Sequence, residues 1–589
     1  MQKIEINKII SSYNSVLLER SPRFVKTILL ALLSRILHIR EINNFVEANK
    51  NLTGAAFIGE VFETLDVSFS VADRDRIKIP SEGKVLIISN HPLGGLDGLM
   101  LLKLFSEVRS DIKIIVNDVL LNIDNIKEFF LPLNIFSGKS QRDRIENIYK
   151  SINNDEAVII FPAGEVARLG FSGISDSDWK KSVLQMAVKF NAPVLPVYIH
   201  AKNSLFFYVV SLFSNKLSMF LLVKELFNKR GKTFSIKIGH HIPAAAFDNK
   251  YRKAGHQIKL LYRHTLLIGK GKKGIYATEK NVIHPLSGKL IRRQLQNCKE
   301  LGLTSDKKKI FLVDSYAAPD VIKEIARLRE ITFRKVSEGT GKKMDIDKYD
   351  EYYKHIVLWD DNELEIVGAY RIGIGRTIMP TLGLKGFYTS ELFDHSHQLE
   401  KILQHSAELG RSFIQSKYWN TSALDYLWQG LGVFLHNNPE IKYTFGGVSL
   451  SKTYSDEAKK NIVYFYKKWF GSKESLSSAK NKYMLSANDV LELQKIYSST
   501  DYKTEILVLK NILKHLGYTI PTLYKQYSEL CEPDGIKFLD FCIDPDFNNC
   551  VDSLILVEVD KIKPAKKERY INQKSERKLF VNDLIPQNA

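Results

Sequence analysis

The sequence predicts two α/β domains joined in one chain, and three observations carry that prediction. The chain has 589 residues, well past the size at which one hydrophobic core keeps growing, so two substantial domains are expected. In the first half, short apolar runs at 84–89 (KVLIIS), 112–116, 157–161 and 193–199 alternate with helical stretches, as in an α/β sheet. A second alternation starts at Ile310, after a looser stretch that holds the basic run GKGKKG and ends on DKKK at 306–309, the composition of an inter-domain connection. The expected boundaries are 1–80 for a helical, membrane-associating region, 81–267 for the first α/β domain, 268–309 for the linker, 310–570 for a second, mixed α/β domain, and 571–589 for a tail.

Composition narrows the class. With 44% hydrophobic and 26% charged residues the chain can build real cores, which argues against broad disorder. A net charge of +19 favours an anionic partner, whether nucleic acid, an anionic bilayer or a small acidic carrier protein. No zinc finger, aromatic RNP-type strand or basic zipper is visible, which argues against nucleic acid. The four cysteines, Cys298, Cys531, Cys542 and Cys550, show neither C-x-x-C pairing nor metal-ligand spacing, and no signal-peptide pattern is seen. They read as reduced thiols, with no metal site expected.

Taken in order, residues 24–37 repeat Phe24, Ile28, Leu32 and Ile36 at helical spacing, with Arg20, Arg23, Lys26 and Arg35 around them. That pattern suits a helix lying on an anionic membrane, and equally one packed on the domain behind it. Residues 203–223 are apolar enough to suggest a transmembrane segment, but Lys216 interrupts them. A span needs about 20 predominantly apolar residues, so a buried or membrane-dipping hairpin is expected.

The first candidate site follows the run at 84–89. Asn90, His91, Pro92, Leu93, Gly94, Gly95, Leu96 and Asp97 form a loop at a strand's carboxyl end, where α/β sheets place their chemistry. A hydroxyl is a weak nucleophile at neutral pH, and histidine has the nearest suitable pKa for a base. Asp97 is placed to orient the His91 ring and stabilise its imidazolium, while Gly94 and Gly95 let the loop fold back.

This segment resembles the glycerolipid acyltransferase family, whose histidine and aspartate normally have four residues between them. Five intervene here, which is similar to the branch that acylates lyso-ornithine lipids. The resemblance extends over roughly 50–265. It implies an acceptor-contacting arginine near Asn134, Ile135 and Phe136, either Arg142 or Arg144, and an acceptor-binding turn at Phe161, Pro162, Gly164 and Glu165. Ala163 stands where that family usually has glutamate, and its following arginine is displaced to Arg168. Residues 193–197 match its fourth, mainly structural block.

The second candidate site begins at Arg329. Arg329 and Phe333, then Asp347 and Asp350, then Arg371, then Glu408 and Arg411 combine acids that could hold an ammonium or relay its proton with arginines that could grip a carboxylate. In order and spacing these resemble the acyl-homoserine-lactone synthases and, more closely, the ornithine N-acyltransferases of the N-acetyltransferase-like superfamily, over about 310–450. The resemblance makes Glu408 a catalytic candidate and the other six substrate-binding ones; which acid is the base is left open. The Q/R-x-x-G-x-G/A pyrophosphate turn of coenzyme-A users is absent, which favours acyl carrier protein over coenzyme A as donor, with no cofactor expected. Asp544, Phe547 and Asp552 also look family-like, as core strand and turn.

Together the resemblances imply a bifunctional ornithine lipid synthase: N-acylation of an amino acid with a 3-hydroxyacyl chain, then O-acylation of that hydroxyl. Glycine or another amino acid as acceptor is the nearest alternative. A single-function lysophospholipid acyltransferase with a carrier-docking second domain is a further one. The lipid acceptor implies a peripheral position on the cytoplasmic face of a bacterial inner membrane.

Overall fold

The structure, a computed structural model, describes residues 34–35, 38–116, 123–133, 141–170, 173–248, 253–547 and 549–572. The chain divides into two compact units, Met1–His284 and Pro285–Ala589.

The first unit is built on a seven-stranded sheet. Its strands are β1 (Ser68–Val71), β2 (Val85–Ser89), β3 (Ile112–Val116), β4 (Phe130–Pro132), β5 (Ala157–Ile160), β6 (Val194–His200) and β7 (Thr233–Ile238), in the order β1-β7-β6-β2-β5-β3-β4. Only β6 and β7 run antiparallel. The central β2 is fully buried because both faces are covered: Val85 and Ile87 enter one apolar cluster, Leu86 and Ile88 another. A parallel sheet coated on both sides needs such unbroken apolar runs, which is why 84–89 and 157–161 were visible in the sequence. The polar alternation of β1 (SFSV) and the brevity of β4 hid those two strands. Helices α1 (Ile39–Ala48) and α2 (Gly54–Leu65) precede the sheet, and β1 is one of its strands, so residues 39–80 belong to this domain and are not a separate region.

The 203–223 stretch forms two helices, α3 (Leu205–Phe213) and α4 (Asn215–Phe227), with Ser214 between them. Among the described residues no helix is long and apolar enough to cross a membrane. The residues of 24–37 other than Ser34 and Arg35 lie outside the described residues, so the helix expected there is not described.

The second unit carries an eight-stranded sheet of β8 (Lys299–Leu303), β9 (Lys309–Val313), β10 (Lys354–Asp360), β11 (Glu365–Ile374), β12 (Ser406–Ile414), β13 (Tyr443–Leu450), β14 (Ile536–Asp544) and β15 (Cys550–Glu558), in the order β8-β9-β10-β11-β12-β13-β15-β14. Residues 285–309, expected to be linker, instead supply β8 and a helix, Gly288–Leu295. On β10, Ile356 and Leu358 face one core cluster and Val357 and Trp359 the other.

One feature of this sheet positions the second site. β12 and β13 pair in parallel only at Ser406–Glu408 with Tyr443–Phe445. Beyond that, β12 stays with β11 and β13 with β15, so the two strands part like a wedge. Gly446 sits where they separate: a Cβ there would lie 2.0 Å from the Leu409 carbonyl oxygen. Opposite Tyr370, β12 carries a bulge at Arg411 and Ser412, with Arg411 at φ 50°, and a bulge re-aims the side chains around it.

Candidate active site

In the first unit, β2 ends at Ser89 and the next residues are clamped from several sides. The Asn90 amide donates to the Ile199 carbonyl at 3.0 Å and accepts from its N–H at 2.8 Å. The His91 carbonyl accepts from Ala167 N–H at 2.8 Å, and Asn203 donates to the Pro92 carbonyl at 3.1 Å. Gly94 turns the chain at φ 95°, in the region that favours glycine, and leads into the helix Gly95–Ser106.

Asp97, on the first turn of that helix, is completely buried. Its Oδ2 accepts from Leu93 N–H at 2.8 Å and Gly94 N–H at 3.0 Å, and lies 3.0 Å from His91 Nδ1. The carboxylate thus holds the loop and one ring nitrogen together, which leaves Nε2 for a substrate. The imidazole stacks on Phe161, centroids 4.1 Å apart, and keeps 17% exposure. The dyad expected from sequence is assembled.

His91 opens on a cavity of about 850 Å³, whose walls are largely apolar and include Phe57, Leu99, Ile114, Phe207 and Leu222. Phe161, Pro162, Gly164 and Glu165 all line it. So does Arg168, whose guanidinium donates to Glu165 at 3.1 Å and to Ser218 at 2.8 Å, and so do Lys180 and Arg230. Arg144 is half-buried on the helix Gln141–Asn153 and is not among the lining residues, so Arg168, which the sequence had treated as displaced, takes the position at the cavity. The Arg142 side chain and residues 134–136 lie outside the described residues. Asp176, which the sequence reading missed, accepts from the His91 N–H at 3.2 Å and the Trp179 indole at 3.0 Å; burial pushes its carboxyl up.

In the second unit the predicted residues separate into two groups. Arg329, completely buried, makes a forked bond to Asp350, at 2.9 and 2.7 Å. Asp350 also meets His355 at 3.1 Å and Arg371 at 3.2 Å. Burial alone would push its carboxyl up, but Arg329, His355 and Arg371 hold it well below the usual range. Arg371 donates to Asp347 at 2.6 Å, and Arg411 pairs with Asp345 at 3.3 Å and Asp347 at 3.4 Å. This is a desolvated ion network in which each charge has partners. Arg329, Asp347 and Asp350, expected from sequence to bind substrate, do not line the cavity described next; their charges pair with one another and with Arg371 and Arg411.

The other group faces a cavity of about 730 Å³ inside the wedge. Phe333, Arg371, Glu408 and Arg411 line it, with Leu409–Ile414 on one side and Gly447–Ser449 on the other. The Arg411 guanidinium lies between the rings of Tyr388, at 4.5 Å, and Phe547, at 4.2 Å. Glu408 is 2% exposed. It accepts from the Tyr353 hydroxyl, from Tyr388 N–H at 3.0 Å and from Thr389 N–H at 2.7 Å, while burial pushes its carboxyl up. With both oxygens occupied it anchors the 387–389 turn, so the geometry does not support it as the base. Phe547 and Asp552, read from sequence as core strand and turn, line this cavity instead.

The arrangement places a histidine–aspartate pair beside an apolar chamber in the first unit, and unpaired strand edges beside a slot in the second. Comparisons with known proteins match both units. Residues 15–268 match the family described as acyltransferase, and residues 328–429 the acetyltransferase (GNAT) domain. A glycine N(alpha)-acyltransferase of Bacteroides thetaiotaomicron is 32% identical over 305 residues, 50% of this chain and 90% of that protein. A lyso-glycine lipid O-acyltransferase of Phocaeicola vulgatus is 31% identical over 252 residues, 42% of this chain and 88% of that protein. Among solved structures, a CoA-dependent acyl-homoserine lactone synthase is 13% identical with a TM-score of 0.21, covering 44% of this chain and 92% of that one. The chain belongs to the acyltransferases twice over, with an acyltransferase-family domain followed by a GNAT-type domain.

Proposed function

We propose that this chain makes a diacylated amino-acid lipid in two steps. The second domain transfers a 3-hydroxyacyl group from a carrier-protein thioester to the α-amine of an amino acid, in the wedge between β12 and β13. The first domain then esterifies the new hydroxyl, with His91 Nε2 as the base and Asp97 stabilising the imidazolium. The apolar chamber holds the acyl chain, each buried methylene contributing about 0.8 kcal/mol.

The observation that carries this reading is the presence, in one chain, of likeness to two relatives named for the N- and O-acylation of glycine and a glycine lipid. That pair favours glycine as the acceptor. Ornithine, favoured by the sequence motifs, is the second reading. The enzyme works as a peripheral protein on the cytoplasmic face of the membrane: α3 turns Leu205, Phe206, Leu212 and Phe213 outward, with exposures of 57 to 86%, and the net charge is +19. Lipid extracts of a bacterium free of aminolipids, expressing the chain, test this. A new ninhydrin-positive, phosphate-free lipid is expected, and its mass identifies the head group; an extract without one refutes the reading.

A further inference from the structure

The second cavity has an acidic end that the site described above leaves unused. Three carboxylates meet there from separate elements: Glu338 from the loop after the helix Pro319–Lys335, Asp544 from the end of β14, and Asp552 from β15. Their exposures are 8%, 1% and 7%. Asp544 is satisfied, accepting from the N–H groups of Asp546 and Phe547 and from the Tyr388 hydroxyl at 3.1 Å. Glu338 accepts from the Ser449 hydroxyl at 3.0 Å. Asp552 has only a 3.5 Å contact from the Cys550 thiol to Oδ1. Its Oδ2 has no hydrogen-bond partner among the described residues, and the residue lines the cavity.

Among the described residues no lysine, arginine or histidine forms an ion pair with any of the three. Burial, with the charge of Asp544 beside each, pushes both Glu338 and Asp552 up to about 7. The cation that acts on Asp544 and Asp552, the Arg411 guanidinium, is already shared with Asp345 and Asp347, and a buried acidic cluster so weakly compensated is costly unless a ligand supplies further positive charge. An organic ammonium supplies such a charge together with N–H donors for the Asp552 Oδ2, which lacks one. Ser449, which holds Glu338, stands on the stretch of β13 that has parted from β12, so the acidic end adjoins the slot for the thioester.

We propose that Asp552, flanked by Glu338 and Asp544, receives the ammonium group of the acceptor amino acid and takes a proton from it before attack on the acyl thioester. The proposal rests on the N-acyltransferase reading of this domain. The ammonium gives one proton to the Asp552 carboxylate, which later passes it to solvent. The free amine's lone pair forms the C–N bond at the thioester carbon, and the C–S bond breaks. The second amine proton goes to the departing thiolate, leaving an amide and a carrier thiol.

The test uses the full chain with a 3-hydroxyacyl carrier thioester and two acceptors, glycine, an ammonium at neutral pH, and hydroxylamine, which is uncharged there; because hydroxylamine also cleaves thioesters unaided, the enzyme-free rate is subtracted for each. Asp552→Asn should lower kcat/KM for glycine at pH 7 by about the 10²- to 10⁴-fold that a general base supplies, and should leave hydroxylamine acylation nearly unchanged. The deficit with glycine should shrink as pH rises and free amine appears. Asp544, Glu338, Cys550, Arg411, Tyr388 and Tyr524 also face Asp552, and Glu338→Gln should show the same acceptor selectivity to a smaller degree, which carries the test if Asp552→Asn does not fold. Equal losses with both acceptors, or none, would overturn the proposal. A wild-type chain that acylates hydroxylamine but no amino acid would overturn the N-acyltransferase reading itself.

Discussion

Replacing Asp97 with asparagine removes a charge while keeping nearly every contact, and the structure lets the consequence be worked out. Oδ2 serves three donors and Oδ1 has no partner among the described residues. An asparagine therefore keeps its oxygen at the Oδ2 position, and the ring tautomer survives. Its NH2 falls where Oδ1 was, an unpaired buried donor costing about 1–3 kcal/mol of stability. The larger effect is on the imidazolium formed as His91 takes the hydroxyl proton. At about 4 Å between charges and an effective dielectric near 20, the lost attraction is about 4 kcal/mol. That corresponds to roughly 10³ in kcat. The assay is O-acylation of a synthetic N-(3-hydroxyacyl) amino acid by purified protein, with N-acylation by the second domain as internal control. A variant within tenfold of wild type would refute the view that the Asp97 charge stabilises the transition state.

Further expectations concern the remaining elements. Asp350→Asn strands Arg329 and weakens the hold on Arg371, and should cost about 3–5 kcal/mol as for a broken buried pair, seen as a lower denaturation midpoint. Because Asp350 is held below its unfolded value, its contribution is present above the unfolded pKa of about 4 and is lost as pH falls further; thermal melts in acid should show wild type converging on the variant. Gly446→Ala drives a methyl into the Leu409 carbonyl and should cost about 1–3 kcal/mol, with N-acylation falling while O-acylation persists. Changing Leu205, Phe206, Leu212 and Phe213 to serine should reduce co-sedimentation with anionic vesicles at high salt, where the apolar contribution of about 25 cal/mol per Å² remains; unchanged binding would remove α3 from the membrane contact.

What was legible in the sequence was what is local. His91 and Asp97 lie in one loop and one helical turn, so their spacing already encodes their meeting. The fully buried β2 and β5 announced themselves as apolar runs. Glu408 was a sound candidate by motif, but its role depends on Tyr353 and on the 388–389 backbone, whose approach is set by the register of β10, β11 and β12 and leaves no trace in spacing. The same holds for Arg329 and Asp350, since an ion network and a substrate grip use the same residue types. Asp345 sits two residues before Asp347 and was open to notice. Asp552 was singled out in the sequence but given no chemistry, because a carboxylate on a strand bordered by Cys550, Val551, Leu554 and Ile555 reads as part of a core strand, and only the parting of β12 from β13 gives it a cavity to face.

The central claim is that both transfers occur on this chain in sequence. The most direct measurement supplies purified protein with glycine, a 3-hydroxyacyl carrier thioester and a second acyl carrier thioester, and follows products by mass spectrometry over time. The account predicts a mono-acylated amino acid first and a diacylated one after it, with His91→Ala stopping at the first. Acylation of a lysophospholipid acceptor with no acylated amino acid at any time would contradict it.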